Sequence, residues 1–334
     1  MKEVFEKLLT KNNLTSVEMS TVMQSCMEGK LTDVQIGAFL ALMRMKGESV
    51  EELAAAAKVM KANARCVDLG PSLIDIVGTG GDGKNTFNVS TISSFVVAAS
   101  GAKVAKHGNL SVSSRSGSAD FLLQAGFKLD LTDDQLKQCI NYCGITFLFA
   151  PQFHPAMRFA KKARQELGVR TFFNLLGPLV NPAQARKQVI GVFSSKWQEP
   201  IAKVLGHLGS ERACVIHSHD GLDEISIADK TSIYELNNGE VNQWTLDPRD
   251  YDCMHTSLEE IIVESPTQSL NIAKAVLNGE KGAARDIVLL NSALAIYCFN
   301  THSFEEAFLL AQKALDGGEA FNRFQTLRDF SNEC

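Results

Sequence analysis

The sequence predicts an α/β protein in two parts. A small N-terminal all-helical domain covers residues 1–70, and a larger α/β domain covers 71–334, with a mostly parallel central sheet flanked by helices. Three observations carry this. The first 65 residues hold helical signals and no strand pattern. From Leu73 onward short apolar runs alternate with helical stretches. A glycine-rich segment joins the first of those runs to a helix.

In the helical part, Thr15 with Glu18, Thr32 with Gln35, and Ser49 with Glu52 form three capping boxes. In each, a hydroxyl and a side chain three residues later satisfy the free N–H groups of a helix start. In "TDVQIGAFLALMRMKG" the apolar residues cover more than one face, Val34, Phe39 and Met43 among them, so this helix is expected to pack on two sides. A homodimer interface on this lobe is the corresponding expectation.

The strands are expected at "LIDIVG" (73–78), "AKVA" (102–105), "ITFLFA" (145–150), "QVIGVF" (188–193) and "RACVIH" (212–217). Helices are expected near 88–100, 116–126, 133–143, 155–167 and 198–208. "TSIYELNNGEVNQWTL" (231–246) carries a hairpin signal and adds an antiparallel element. Residues 266–330 return to helix. The segment "GVRTFFNLLGPLVNP" (168–182) breaks the strand–helix rhythm with a short apolar helix, where the chain is expected to revisit the helical lobe.

Composition excludes several classes. The 334 residues are 45% hydrophobic and 21% charged, which is globular, and a formal net charge of −5 argues against nucleic-acid and acidic-membrane partners. No apolar run reaches a membrane span, and the N-terminus lacks the apolar core of a signal peptide, so a cytoplasmic location is expected. Eight cysteines lie without a CxxC pair. Cys139 and Cys143 share a helix face with no further ligand, so reduced, buried thiols are expected.

The first chemistry-bearing stretch is "DIVGTGGDGKNTFNVST", Asp75–Thr91. Its glycines (78, 80, 81 and 83) let the backbone turn N–H groups toward a ligand, and a helix starting near Asn88 adds the positive end of its dipole. This reads as a phosphate loop, though neither GxGxxG nor a Walker loop. "KHGNLSVSSRSGSAD" (106–120) repeats the plan. Lys106 is a charge, Gly108 a turn, Ser111, Ser113 and Ser114 are hydroxyls, and Ser116 or Ser118 is a helix cap. Two such loops at one sheet edge suit a ligand with phosphates at two ends.

"HDGLDEISI" sets Asp223 and Glu224 side by side after a strand. Hard carboxylates beside phosphate loops suit Mg²⁺, and they outweigh a zinc reading of His217 and His219. "APQFHPAMRFAKKARQELG" places Arg158, Lys161 and Arg164 on one helix after His154. A solvated basic face is the default there, and an arginine turned inward would instead grip a carboxylate. No nucleophile–base signature occurs, which points to positioning and charge stabilisation rather than a covalent intermediate.

"GTGGD" (78–82), "NVST" (88–91), "KHGN" (106–109), "SGSAD" (116–120), "HPAM" (154–157), "RTFFNLLGPLVNP" (170–182) and "DGLDE" (220–224), taken in this order, resemble the anthranilate phosphoribosyltransferases over nearly the whole chain. The resemblance implies a nucleoside phosphorylase-like fold and a homodimer through the helical domain. It also allows a glutamine amidotransferase/anthranilate synthase partner. The implied reaction is attack of the anthranilate amine on C1 of 5-phosphoribosyl 1-diphosphate, expelling diphosphate, in tryptophan biosynthesis.

By the same resemblance Gly78, Gly81, Asp82, Thr86, Asn88, Val89, Ser90 and Thr91 hold the donor. Lys106, His107, Gly108, Asn109, Ser111, Ser113, Ser114 and Ser118 complete its site. Gly78, His107, Asn109, His154 and Arg164 surround anthranilate, while Ser90, Asp223 and Glu224 bind two Mg²⁺ ions. One departure stands out: Leu110 takes a place where the family commonly has a basic residue. Competing expectations are phosphorylase chemistry on the same fold, disfavoured by "HPAM" and Arg164, and a nucleic-acid-binding paralogue, disfavoured by the acidic balance.

Overall fold

The computed structural model describes residues 1–110, 117–300 and 303–333. The chain opens with helices α1 (Lys2–Leu9), α2 (Ser16–Met27), α3 (Asp33–Lys46) and α4 (Val50–Ala62). All three expected capping boxes form, each with both reciprocal hydrogen bonds. Such a cap stabilises a helix by about 1 kcal/mol. Glu52 does more than cap. Its buried carboxylate accepts from Lys46 Nζ at 2.7 Å and from the Leu14 N–H at 2.7 Å, tying three segments of the bundle together.

The strand–helix part follows as β1 (Leu73–Gly78), α5 (Val89–Ala99), β2 (Lys103–Gly108), α6 (Ser118–Gln124), α7 (Asp133–Cys143), β3 (Ile145–Phe149), α8 (Ala150–Phe153), α9 (Arg158–Leu167) and α10 (Phe173–Leu176). Then come β4 (Lys187–Gly191), α11 (Gln198–His207), β5 (Arg212–Ser218) and the hairpin β6 (Thr231–Asn237) and β7 (Glu240–Leu246). The chain closes with α12 (Pro266–Leu277), α13 (Ala283–Phe299), α14 (Phe304–Asp316) and α15 (Glu319–Glu333).

The sheet has seven strands in the order β3-β2-β1-β4-β5-β6-β7. The first five in space are parallel, and the hairpin extends the sheet antiparallel. The expected fold class is met. Alternation along the central strands divides the core. Val189, Cys214 and Ile216 pack with Phe95 of α5 and Leu290 of α13, while Ile190, Ala213 and Val215 pack with Val204 of α11 and Leu53 of the bundle. The helical lobe is therefore seated on one face of the sheet.

The 168–182 segment enters that same core. Phe172 meets Phe39 of α3 edge-on, ring centroids 5.7 Å apart, and Leu175, Leu176 and Leu179 are buried beside it. An edge-to-face pair adds about 0.5–1.5 kcal/mol beyond area burial, enough to fix the angle at which this segment returns toward the sheet.

Two local expectations are corrected. β2 runs on through Lys106, His107 and Gly108, because parallel pairing with Lys106–Phe147 and His107–Leu148 in register continues past the apolar run. The cap of α6 is Gly117, whose N–H donates to Asp120 Oδ2 at 3.0 Å, and Ser118 is the first helical residue. Among the described residues no helix is long and apolar enough to cross a membrane. The described cysteines are all buried except Cys66.

Candidate active site

The strand order reverses between β1 and β4: the chain steps outward through β2 and β3, then returns to β1's other side. In such sheets the crevice beyond the strand C-termini at the reversal is where ligands bind. The glycine loop after β1, the end of β4 and the acidic loop after β5 meet at this edge.

From β1 the glycine loop leaves with Gly80, Gly81 and Gly83 at φ of 61°, 81° and 79°, conformations costly for any side chain. Asp82 Oδ1 closes a turn by accepting from the Lys84 N–H at 3.1 Å. The far end of the loop is strapped to residues 261–263, with Phe87 N–H to Ile261 O at 2.9 Å, Val263 N–H to Asn85 O at 2.8 Å, and a bridge between Thr86 and Ile262. Asn88 caps α5 and exchanges hydrogen bonds with the Ser269 hydroxyl at 2.9 and 3.1 Å. The start of α5 is thereby fixed with Ser90 and Thr91 in its first turn. The Val89 side chain is in the core and its N–H donates to Phe87 O at 2.7 Å.

The acidic loop after β5 is a built feature rather than a solvated one. Leu222 and Ile225 are fully buried on either side of Asp223 and Glu224, and Asn291 of α13 clamps Ile225 through both its N–H and its carbonyl, at 2.9 and 3.0 Å. The Asp223 backbone presses on β4: a Cβ built on Gly191 would overlap the Asp223 carbonyl oxygen. This close approach brings the half-buried Asp223 to the glycine loop, where its Oδ2 accepts from the Gly80 N–H at 3.1 Å.

Charge is crowded here. Burial raises the Asp223 carboxyl well above its usual range, and the neighbouring Asp82 and Glu224 carboxylates raise it further. Asp82 is thus close enough to Asp223 for the two carboxyl groups to disfavour each other's charge, which a cation between them would relieve. Burial pushes Glu224 up to about 7, against the pull of Lys106 and of neighbouring Ser90. Lys106 is itself buried. Its Nζ donates to Ile76 O at 2.5 Å and lies 3.4 Å from Ser90 Oγ, so its charge sits under the start of α5 rather than at the tip of a loop.

These groups fit magnesium. Among the described residues no cluster of three or more His, Cys, Asp or Glu is set to hold an ion by itself. The oxygens of Asp223, Glu224 and Ser90, short of positive charge, suit a hard cation that keeps waters and shares phosphate oxygens. His217 Nδ1 is engaged with Val192 O at 2.7 Å, and among the described residues no further ligands gather around it or His219 for zinc.

Beyond Lys106, Gly108 is a point of close approach: a Cβ there would collide with Ser118 Oγ and would lie 2.6 Å from the Phe147 ring. Asn109 and Leu110 are exposed at the end of β2, with Leu110 N–H on Asn109 Oδ1 at 2.8 Å. Ser111, Ser113 and Ser114 lie outside the described residues, as do Arg115 and Ser116. His107 and His154 face each other with ring centroids 5.1 Å apart. Burial lowers His107 to about 3 and His154 to about 4, so both stay neutral. The backbone at Gly177 and at Val180 favours the charged form of His107 and His154 respectively, but burial outweighs it, and each Nε2 is buried without a partner.

Arg164 is turned inward. It is half-buried, 5.1 Å from the Phe173 ring centroid, and burial lowers its pKa. Arg158 and Lys161 are exposed, as a solvated face would have them.

Sequence reasoning missed the network beneath these groups. Asp75, buried in β1 and raised to about 6 by burial, accepts from the His107 N–H at 3.0 Å and from Asn181 Nδ2 at 2.8 Å. Asn181 also holds Ala105 O at 2.8 Å. An acidic residue inside an apolar strand run was the available signal, because burying a charge demands partners.

A sequence model of the glycosyl transferase family α/β domain matches residues 70–321, and one of the family's helical bundle domain matches residues 2–64. The anthranilate phosphoribosyltransferase of Legionella pneumophila is 59% identical over 336 aligned residues, 99% of this chain and 98% of that protein. The chain belongs to the anthranilate phosphoribosyltransferase family. The Acinetobacter baylyi member of that family is 48% identical, covering 97% of this chain and 95% of its own. Among solved structures, the Thermus thermophilus anthranilate phosphoribosyltransferase superposes with a TM-score of 0.92 at 37% identity, covering 98% of this chain and 99% of that one. The Saccharomyces cerevisiae anthranilate phosphoribosyltransferase, solved in complex with PRPP and Mg, gives 0.89 at 28% identity, covering 99% and 98%.

Proposed function

We propose that this chain transfers the 5-phosphoribosyl group from 5-phosphoribosyl 1-diphosphate (PRPP) to the amine of anthranilate, giving N-(5-phosphoribosyl)anthranilate and diphosphate in tryptophan biosynthesis. The observation that carries the reading is the convergence, at the β1/β4 reversal, of the glycine loop, the N-terminus of α5 and the Asp223–Glu224 pair.

In this reading the donor lies along Gly78, Gly81, Asp82, Thr86, Asn88, Ser90 and Thr91, with Lys106, Gly108, Asn109 and the serines that follow on its other side. Backbone N–H groups and the α5 dipole favour its phosphates. Ser90, Asp223 and Glu224 would hold two Mg²⁺ ions, which when bound supply positive charge to the departing diphosphate. Arg164 pairs with the acceptor carboxylate and orients the amine toward C1. The C1–O bond to diphosphate breaks, the C1–N bond forms, and the amine loses one proton. Neutral His107 and His154 line the acceptor's route without adding positive charge near the ribose.

The helical domain, residues 1–70 with 168–182, is read as the dimer-forming part of a cytoplasmic homodimer. Leu9, Val17, Val34 and Met45 are large apolar side chains left exposed on it, which supports a second copy as their cover. The test of activity is product identification. Protein, anthranilate, PRPP and Mg²⁺ are mixed, and mass spectrometry is expected to find the phosphoribosylated amine with one diphosphate per product. Absence of that product would contradict the reading.

A further inference from the structure

Arg170 has no place in the roles assigned above. It lies in the loop after α9, and its guanidinium spans the crevice at the β1/β4 reversal. A Cβ placed on Gly81 would sit 3.1 Å from Arg170 Nε and 3.3 Å from its Cζ, and the guanidinium stacks 5.0 Å from the centroid of Phe193, just beyond β4. Its backbone is fixed independently, because the Arg170 carbonyl accepts from Arg44 Nη1 of α3 at 2.6 Å. Among the described residues the guanidinium of this exposed side chain has no ion pair and no hydrogen-bond acceptor, and its contacts are with Gly81 and the Phe193 ring.

An arginine laid over a glycine with positive φ and against an aromatic ring presents a planar fork to whatever the loop binds. That fork matches the paired oxygens of a phosphate better than a lysine would. The neighbouring groups strengthen the need. Asp82, Asp223 and Glu224 crowd the same crevice, Lys106 is buried beneath it, and Leu110, 42% exposed, brings no charge from the end of β2. Arg164 lies against Phe173 instead of over the glycine loop, which leaves the phosphate side to Arg170.

We infer that Arg170 is an anion-contact residue of the donor site, gripping the diphosphate of the phosphoribosyl donor from above the glycine loop and supplying the cation that Leu110 does not. This rests on the functional reading above. The glycine at 81 is then required twice, for its φ and because any side chain there would push Arg170 off its seat.

The test is calorimetric titration of PRPP with Mg²⁺ into the wild type, Arg170→Gln and Arg170→Lys, with anthranilate kinetics alongside. Arg170→Gln is expected to weaken donor binding about tenfold or more, the worth of a charge-assisted pair. KM for anthranilate and Tm should stay near wild type, and Arg170→Lys should recover part of the affinity. Adding Leu110→Arg to Arg170→Gln should restore donor affinity. Donor binding by Arg170→Gln within about twofold of wild type would overturn the assignment. So would equal losses for donor and acceptor, or the whole effect following Arg115→Gln instead. The titration needs no turnover. A wild type that bound PRPP yet transferred nothing would refute the functional reading, and the Arg170→Gln comparison would still decide this one.

Discussion

The Gly80 N–H donates to Asp223 Oδ2 at 3.1 Å, so the glycine loop after β1 and the acidic loop after β5 meet through one hydrogen bond. The carboxylate is held by a donor of the kind that the loop would offer a phosphate, with the Asp82 carboxylate near enough to raise its pKa further. Asp223→Asn keeps the shape and removes the charge. Turnover at saturating Mg²⁺ is expected to fall by roughly 10²-fold or more, measured by steady-state rates. Because burial raises the Asp223 pKa, its charged form costs stability as pH rises. The Asn variant should therefore unfold in urea no earlier than wild type at pH 8. Loss of stability together with activity would mean that Asp223 is a structural residue.

Gly191 is the counterpart of that contact on β4. Gly191→Ala places a methyl group on the Asp223 carbonyl oxygen, and one of the two must move. The account expects loss of turnover with a destabilisation of about 1–3 kcal/mol, read from denaturant curves, while far-ultraviolet circular dichroism stays native. Wild-type rates in this variant would show that the acidic loop can shift without consequence.

The His107–His154 pair sets an acid limit. Burial lowers His154 to about 4 from an ordinary value near 6.5. The unfolded chain then binds more protons than the folded one in that interval, so the stability the ring contributes is present above pH 6.5 and lost as pH falls toward 4. Asp75, raised to about 6, acts in the opposite direction, so the informative quantity is a difference between proteins. His154→Asn should remove about 2 kcal/mol of the stability change between pH 7 and 4.5, measured by urea unfolding at both values. Parallel curves for variant and wild type would contradict a buried neutral ring.

Leu110 sits exposed at the end of β2, beside Asn109. Leu110→Arg adds a cation at the donor side of the crevice, and KM for PRPP is expected to drop severalfold with kcat little changed. An unchanged or higher KM would show that this position points away from the donor.

Much of the fold was legible because local signals agreed with the global arrangement. The capping boxes at Thr15, Thr32 and Ser49 fixed three helix starts, and the run from Leu73 to Gly78 is the strand it looked like. The end of β2 was not legible, since Lys106 and His107 look like loop residues. Their strand geometry comes from pairing with β3, which no local propensity encodes. Likewise "DGLDE" announced carboxylates but not their burial, which depends on Leu222, Ile225 and the distant Asn291. Arg170 was hidden because an arginine's role depends on which way it turns. Here Arg44 and Phe193 decide that, from two other parts of the chain.

The central claim is that the crevice at the β1/β4 reversal couples donor, Mg²⁺ and anthranilate in one transfer. Anthranilate fluorescence, followed with PRPP and increasing Mg²⁺, tests it most directly. The account predicts decay to completion with wild type, arrest when the metal is chelated, and a nearly flat trace with Asp223→Asn. A flat trace with wild type at every Mg²⁺ concentration, or undiminished decay with Asp223→Asn, would contradict it.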